Sequence, residues 1–498
     1  MDILKKIIVR PVVEGDEYLY DESRMPGGKA DAVFLPENIE ELSVLVSYLY
    51  SEKTPFTVYG KGTGITGASV PFGGVVISLE KMNKKKSLHR CEKSGRDFLS
   101  VEPGVTLAEI RDSLKDLFYP VDPTEMSASI GGTVATNASG ACSFKYDSTR
   151  EWVKSLKIVL PDGTVAHIER GEYFADSNGD IHFLGKKIKV PEYQMPKCKN
   201  AAGLYSCKGM DIIDLFIGSE GILGIIAEIE VWLENKMPTA SFIAFFDDEE
   251  RAFEFVQVLR PCKIKPEFIE YVDSSGLEML EKKSLDDPAS LNIPKLPDNS
   301  RAGIFFDMAY VSEGILEVLE ITDEMLGNAR GLAGSFCAWE NIEKERIKFF
   351  RHALPETVNG FISEIKRNYP DIHKLGTDIA VPHEMFGEMN EFSKNTLMKS
   401  GLKFVSFGHI GDSHIHFNII PQNYDELDAG KRIYGILVSK AVELGGTVSA
   451  EHGIGKLKHK YLETMYGKKG IDEIRRVKKC FDPEFLLNRG NMFDPGKK

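Results

Sequence analysis

The run Gly408-His-Ile-Gly-Asp-Ser-His-Ile-His-Phe-Asn418 carries three of the chain's eleven histidines, His409, His414 and His416. A two-residue loop at Asp412-Ser413 makes it a β-hairpin in which Gly411 faces His414 and His409 faces His416, with β-carbons about 4.5–5.5 Å apart. His414 and Asn418 then share a face, while Ile415, Phe417 and Ile419 point the other way. Neutral imidazole is the commonest protein ligand for zinc and similar divalent ions, so the run reads as a metal site. The plainer alternative is a histidine-rich turn with packing and hydrogen-bonding roles. Downstream, Glu451-His452 follows a helix, the Gly445-Gly446 break and a short strand, and enters a Gly-rich turn. Adjacent residues at a strand end point in different directions, so one can ligate while its neighbour does other work. The simpler reading of this pair is a helix N-terminal cap. Two histidines and one carboxylate leave positions open on a metal, the pattern of a catalytic site.

Those residues need a large scaffold. At 498 residues the chain is too long for one ordinary core, so two or three domains are expected. With 42% hydrophobic and 28% charged residues it reads as a globular protein. A net charge of −13 argues against nucleic acid and anionic membranes as main partners. No apolar run approaches the roughly 18 residues of a membrane span, and the N-terminus has no cleavage-site pattern. The seven cysteines are odd in number, scattered and free of C-x-x-C, which fits a reducing compartment without disulfides or an iron–sulfur cluster. A cytoplasmic location is expected, with attachment to a membrane only through an electron-acceptor partner.

From Ala32 the pattern reads strand (Ala32-Val-Phe-Leu35), helix (Ile39 to Tyr50), strand (Phe56-Thr-Val-Tyr59), then strand again (Val75 to Leu79). Between the last two lies Gly60-Lys-Gly-Thr-Gly-Ile-Thr-Gly67. Gly62, Gly64 and Gly67 formally match the dinucleotide fingerprint, but that fingerprint must open a crossover helix. Ala68 to Gly74, with Pro71, Gly73 and Gly74, leaves no room for one. What survives is a run of closely spaced backbone N–H groups suited to an anion such as a pyrophosphate. Ser129-Ile-Gly-Gly-Thr-Val-Ala-Thr-Asn-Ala-Ser-Gly140 has few bulky side chains, so backbone can approach a large ligand. Gly218-Ser-Glu-Gly-Ile-Leu-Gly-Ile-Ile-Ala-Glu228 turns into an apolar strand. After Met237-Pro-Thr239, strands and amphipathic helices alternate: Ser241 to Phe246, Glu249 to Leu259, Gly303 to Ala309 and Ser312 to Gly327. Lys282 to Arg301 reads as a polar surface excursion.

Taken in order, these segments resemble the flavin-binding family of vanillyl-alcohol-oxidase fold, in its 2-hydroxyacid dehydrogenase branch (glycolate oxidase catalytic subunit, D-lactate and D-2-hydroxyglutarate dehydrogenases). Val101-Glu-Pro-Gly-Val105, Glu451-His-Gly-Ile-Gly455 and the closing Phe481-Asp-Pro-Glu-Phe-Leu-Leu-Asn488 complete the set, which covers nearly the whole chain from about residue 20. The resemblance implies an α+β fold. A two-lobed, PCMH-type FAD-binding domain spans residues 1–235. A substrate or cap domain with a large antiparallel sheet spans 236–445, and 446–498 returns to the FAD domain.

It further implies FAD on Gly60, Lys61, Gly62, Thr63, Gly64, Thr66 and Gly67, on Pro103 and Gly104, and on Gly131, Gly132, Thr136, Asn137 and Gly140, with Glu220, Gly224 and Ile226 alongside. Some relatives attach FAD through a histidine in these loops. None occurs from Phe56 to Leu88 or from Val101 to Glu151, so non-covalent FAD is expected. By the same likeness His409, His416 and Glu451 are the metal ligands and His452 the catalytic base. Zinc is the default ion, and manganese, iron or cobalt fit the same ligands. Arg351 matches the arginine that grips the substrate carboxylate, with Lys374 and Asn418 as further substrate contacts. His414 departs from the family's usual asparagine, where it would alter the metal's surroundings or the choice of substrate. Ser139 is a minor departure.

The expected reaction is FAD-dependent oxidation of a small 2-hydroxy acid, of D configuration by the family likeness, to the 2-oxo acid. Electrons then pass to oxygen, a quinone, an electron-transfer flavoprotein or a partner subunit, and a homodimer is left open. The alternatives are a flavoprotein of the same fold acting on a non-acid alcohol or lactone, and a non-catalytic FAD electron-transfer subunit.

Overall fold

The computed structural model of the chain describes residues 3–286, 296–311 and 314–494. Much of the excursion expected over Lys282–Arg301, residues 287–295, lies outside these, as do Ser312 and Glu313 of the expected helix. Three large sheets organise the rest.

In the first sheet, strands β1 (Ile8–Pro11), β2 (Ala32–Leu35), β3 (Phe56–Tyr59) and β4 (Val75–Ser78) lie in the order β1-β2-β4-β3. β1 runs antiparallel to β2, while β2 and β3 both run parallel to β4. Parallel strands need a crossover, and the helix Ile39–Ser51 supplies it between β2 and β3. Asn38 caps that helix by accepting the Glu41 N–H. Leu42, Leu45, Val46 and Leu49 recur at helical spacing and bury one face against Phe56 and Ile77. Each buried leucine there contributes about 1.5–3 kcal/mol.

The second sheet is antiparallel. It contains β5 (Lys85–Arg90), β6 (Asp97–Val101), β8 (Val153–Val159), β9 (Val165–Glu169) and β12 (Ile225–Trp232), in the order β5-β6-β12-β8-β9. Beside it, β7 (Leu117–Phe118) pairs with β13 (Glu234–Asn235), and β10 (Asp180–Phe183) with β11 (Lys186–Lys189).

The third sheet is built from β14 (Thr239–Phe246), β15 (Phe268–Asp273), β16 (Ala302–Ala309), β17 (Phe336–Ala338), β18 (Leu375–Gly376), β19 (Phe404–Gly408) and β20 (His416–Ile419). Its order is β17-β14-β16-β15-β19-β20-β18, and every pairing is antiparallel. Adjacent strand residues point to opposite faces. Phe306 meets Phe255 of the helix Glu249–Leu259 at 5.6 Å, and Phe305 meets Phe350 of the helix Asn341–Lys366 at 5.4 Å. Helices therefore cover both faces, which explains why β14 and β16 are apolar almost throughout.

After the helix His459–Phe481 the chain rejoins the first sheet. Leu487 bridges Phe56 in parallel, and Asn488 Oδ1 accepts the Val58 N–H at 2.8 Å. All seven cysteines are free. No helix among the described residues is long and apolar enough to cross a membrane.

Candidate active site

The histidine run is not a two-residue hairpin. β19 and β20 pair with Phe407 opposite His416, which corrects the expected pairing of His409 with His416. Ile410–Asp412 instead form a 3-10 turn between Gly408 at φ 145° and Ser413 at φ 57°. The register moves by two residues, an even step, so His416 keeps its face. The imidazoles still converge: His409 lies 6.0 Å from His416 between ring centres, and His414 lies 4.4 Å from His416.

The loop before the helix His459–Phe481 brings in Glu451. Nε2 of His409 is 3.2 Å from Glu451 Oε1, and Nε2 of His416 is 3.8 Å from Oε2. One ligand atom from each of His409, His416 and Glu451 falls within 4.8 Å of the others, close enough to share an ion. On their far sides, His416 Nδ1 meets the Thr377 carbonyl at 2.7 Å, and His409 Nδ1 lies 3.0 Å from Glu270 Oε1 without hydrogen-bond alignment. Outer partners on Nδ1 with Nε2 turned inward are how metal-binding histidines are oriented, so the donor set fits a divalent cation.

Burial, together with the charges of His452 and His409, holds His416 down to about 4. Burial also opposes charge on His409, but Glu451 and Glu270 outweigh it and raise that imidazole to about 9. Burial likewise opposes charge on Glu451, yet Lys199 and His409 hold it well below the usual carboxylate range. His414 is wholly buried and neither ring nitrogen is hydrogen-bonded. Its Nε2 stands 3.5 Å from Asp378 Oδ1 and its Nδ1 3.9 Å from Glu451 Oε1.

His452 stacks on His416 at 5.6 Å, with Nδ1 3.3 Å from Asp378 Oδ2. Burial lowers its pKa and Asp378 opposes that, so the ring is a neutral base at neutral pH. Asp378 also accepts the backbone N–H groups of Ala450, Glu451 and His452, the Ser449 hydroxyl and the Lys458 ammonium. One buried carboxylate thus shapes the loop that carries both Glu451 and His452.

The substrate-contact candidates differ sharply. Arg351, on the helix Asn341–Lys366, is half-buried; its Nε lies 3.4 Å from Glu270 Oε2 and it stacks over Phe268 at 4.3 Å. Lys374 is held down by burial and has no hydrogen-bond or ion-pair partner among the described residues, yet its charge reaches His452. Asn418 is buried, donating to the His416 carbonyl at 3.3 Å.

The three glycine-rich segments pack on one another and on the 451–455 loop. None of the backbone N–H groups of residues 61–67 donates to another group among the described residues, and Lys61, Gly64 and Ile65 are exposed. Unsatisfied N–H groups beside a lysine fit a pyrophosphate. A Cβ on Gly131 would meet Pro103 at 2.6 Å, one on Gly104 the Leu79 carbonyl at 2.4 Å, and one on Gly140 the Asp122 carbonyl at 1.9 Å. Gly132 and Thr136 face outward from the same short helix, while Asn137 (φ 50°) accepts the Arg150 N–H. Glu220 is engaged internally, its carboxylate accepting the Ile454 and Gly455 N–H groups at 2.6 and 2.8 Å. Gly224 and Ile226 pack against Ile158. Gly455 (φ 52°) sits where a Cβ would strike the Thr66 carbonyl at 2.1 Å, which seats the 451–455 loop on the 60–67 loop.

Sequence reading missed Asp378, Glu270 and Lys199. The first two had a weak signal, an acid set inside an apolar run. Lys199, in Lys199-Asn-Ala-Ala-Gly203, had none.

Comparison with known proteins matches two stretches of the chain. Residues 30–169 match the family described as FAD binding domain, and residues 237–492 match FAD linked oxidases, C-terminal domain. The chain is 30% identical to the glycolate oxidase subunit GlcD of Bacillus subtilis over 96% of its own length and 92% of that protein's. It is 28% identical to the mitochondrial D-lactate dehydrogenase [cytochrome] of Arabidopsis thaliana, over 93% of this chain and 74% of that one. In fold it is similar to an alkyldihydroxyacetonephosphate synthase, with TM-score 0.63 and 18% identity over 93% of this chain and 77% of the other.

Proposed function

The chain belongs to the FAD-linked oxidases, and from that premise we propose that it oxidises a small 2-hydroxy acid to the 2-oxo acid with a divalent metal at His409, His416 and Glu451. The observation that carries this reading is the placing of two histidines, a carboxylate and His452 within one cluster.

The 60–67 loop and Gly131–Gly140 would hold FAD, which would supply a hydride acceptor, and His409, His416 and Glu451 would hold a metal that would supply Lewis acidity. His452 accepts the 2-hydroxyl proton, a task suited to an imidazole that is neutral at neutral pH. Asp378, 3.3 Å from its Nδ1, steadies the imidazolium that results. Lys374, lacking an internal partner, takes the substrate carboxylate. Arg351, already shared with Glu270, adds positive potential and orients Cα–H toward the flavin. The hydroxyl proton goes to His452, and bound FAD would be the two-electron acceptor for the Cα hydrogen.

Steady-state turnover with an artificial electron-acceptor dye tests the reading. Glycolate, D-lactate or D-2-hydroxyglutarate should be oxidised, each matched against an alcohol or lactone without a free carboxylate. Turnover of the alcohols or lactones alone would assign the site to another substrate class.

A further inference from the structure

Lys199 is a partner of Glu451 that the reading above leaves without a task. Its ammonium bonds Glu451 Oε1, the same oxygen that faces His409 Nε2 at 3.2 Å. The side chain is 7% exposed. A second carboxylate is within reach: Asp412 Oδ2 lies 3.5 Å from Lys199 Nζ, and the Gly140 carbonyl accepts from Nζ at 3.3 Å. Asp412 is itself fixed by the Ser143 hydroxyl at 2.6 Å. A buried ammonium between two carboxylates can lean on either without leaving the protein.

Resting on the metal reading of this site, we infer that Lys199 is a positioning residue that holds Glu451 ready in the absence of the ion and yields it by shifting to Asp412 when the ion binds. A divalent ion between His409, His416 and Glu451 would stand against the ammonium on the same oxygen, and like charges at such range repel strongly in a buried site. The ammonium keeps its proton throughout, and only its carboxylate changes. Metal affinity is therefore set by competition, and Asp412 is the seat that lowers the cost of losing.

The test is isothermal titration of the FAD-loaded, chelator-stripped protein with Mn²⁺ and with Zn²⁺, in a thermodynamic cycle. Lys199→Met should bind the ion more tightly, by about ten- to hundredfold. Asp412→Asn should bind it more weakly in the native background and should have no effect once Lys199 is gone. If Lys199→Met fails to retain FAD, Lys199→Gln carries the same expectation. Weaker or unchanged binding by the lysine variants, or an Asp412→Asn effect of equal size in both backgrounds, would overturn the exchange while leaving the metal site in place. Absence of binding by the unmodified protein would instead overturn the metal reading, and this inference with it.

Discussion

Oδ2 of Asp378 lies 3.3 Å from Nδ1 of His452 and also accepts that residue's own backbone N–H at 3.1 Å. One carboxylate therefore sets both the ring and the main chain of the proposed base. It lies 74 residues earlier in the chain.

This predicts a graded loss. His452→Ala should lower kcat by about 10²–10⁴-fold, the usual weight of a positioned general base, with FAD content unchanged. Asp378→Asn should cost kcat about 10–100-fold, the scale of an outer partner that orients an active group. Because the two act as a unit, the double variant should be little slower than His452→Ala alone. Native kcat in Asp378→Asn would refute the positioning role.

Arg351 and Lys374 should separate by stability and KM. Lys374 has no hydrogen-bond or ion-pair partner among the described residues, so Lys374→Met should leave the unfolding midpoint unchanged and raise KM for the hydroxy acid about 10–100-fold, the value of a charge-assisted hydrogen bond. Arg351→Met leaves the half-buried Glu270 carboxylate with only His409 beside it and should cost on the order of 3–5 kcal/mol of stability. Chemical denaturation alongside kinetics on both variants decides this. A large KM effect for Arg351→Met without loss of stability would reverse the assignment.

Lys456 gives a pH-dependent prediction. Its ammonium donates to the Gly67 and Ala68 carbonyls at 3.1 and 3.0 Å, tying the 60–67 loop to the C-terminal segment. Burial lowers it to about 8 from an ordinary 10.5. Between those values the unfolded chain binds a proton that the folded chain does not, so folding gains as pH rises through that window. The native protein should therefore gain stability relative to Lys456→Met between pH 7.5 and 9.5, measured by urea midpoints. A gap that stays constant would show that Lys456 is not shifted.

Local pattern made much of the fold legible. Helical spacing of Leu42, Leu45 and Leu49 placed the helix after β2, and the short run ending at Tyr59 bounded β3. The bar on a crossover helix after Gly67 followed from Pro71, Gly73 and Gly74. The histidine loop was misread because its turn depends on backbone angles at Gly408 and Ser413 that side-chain spacing does not encode. The site survived that error because the register slipped by an even number of residues. Asp378 and Glu270 left only a weak trace in the sequence and Lys199 none, since their partners are far along the chain. Lys199 and Glu451 are 252 residues apart, and no periodicity links them.

The most direct test of the account is anaerobic mixing of the flavoprotein with D-lactate, glycolate and D-2-hydroxyglutarate while flavin absorbance is followed. The account predicts rapid bleaching by at least one of these acids, loss of that phase after verified metal removal, and its return with added Zn²⁺ or Mn²⁺. Bleaching at an unchanged rate in the metal-free protein, or no bleaching by any 2-hydroxy acid, would contradict it.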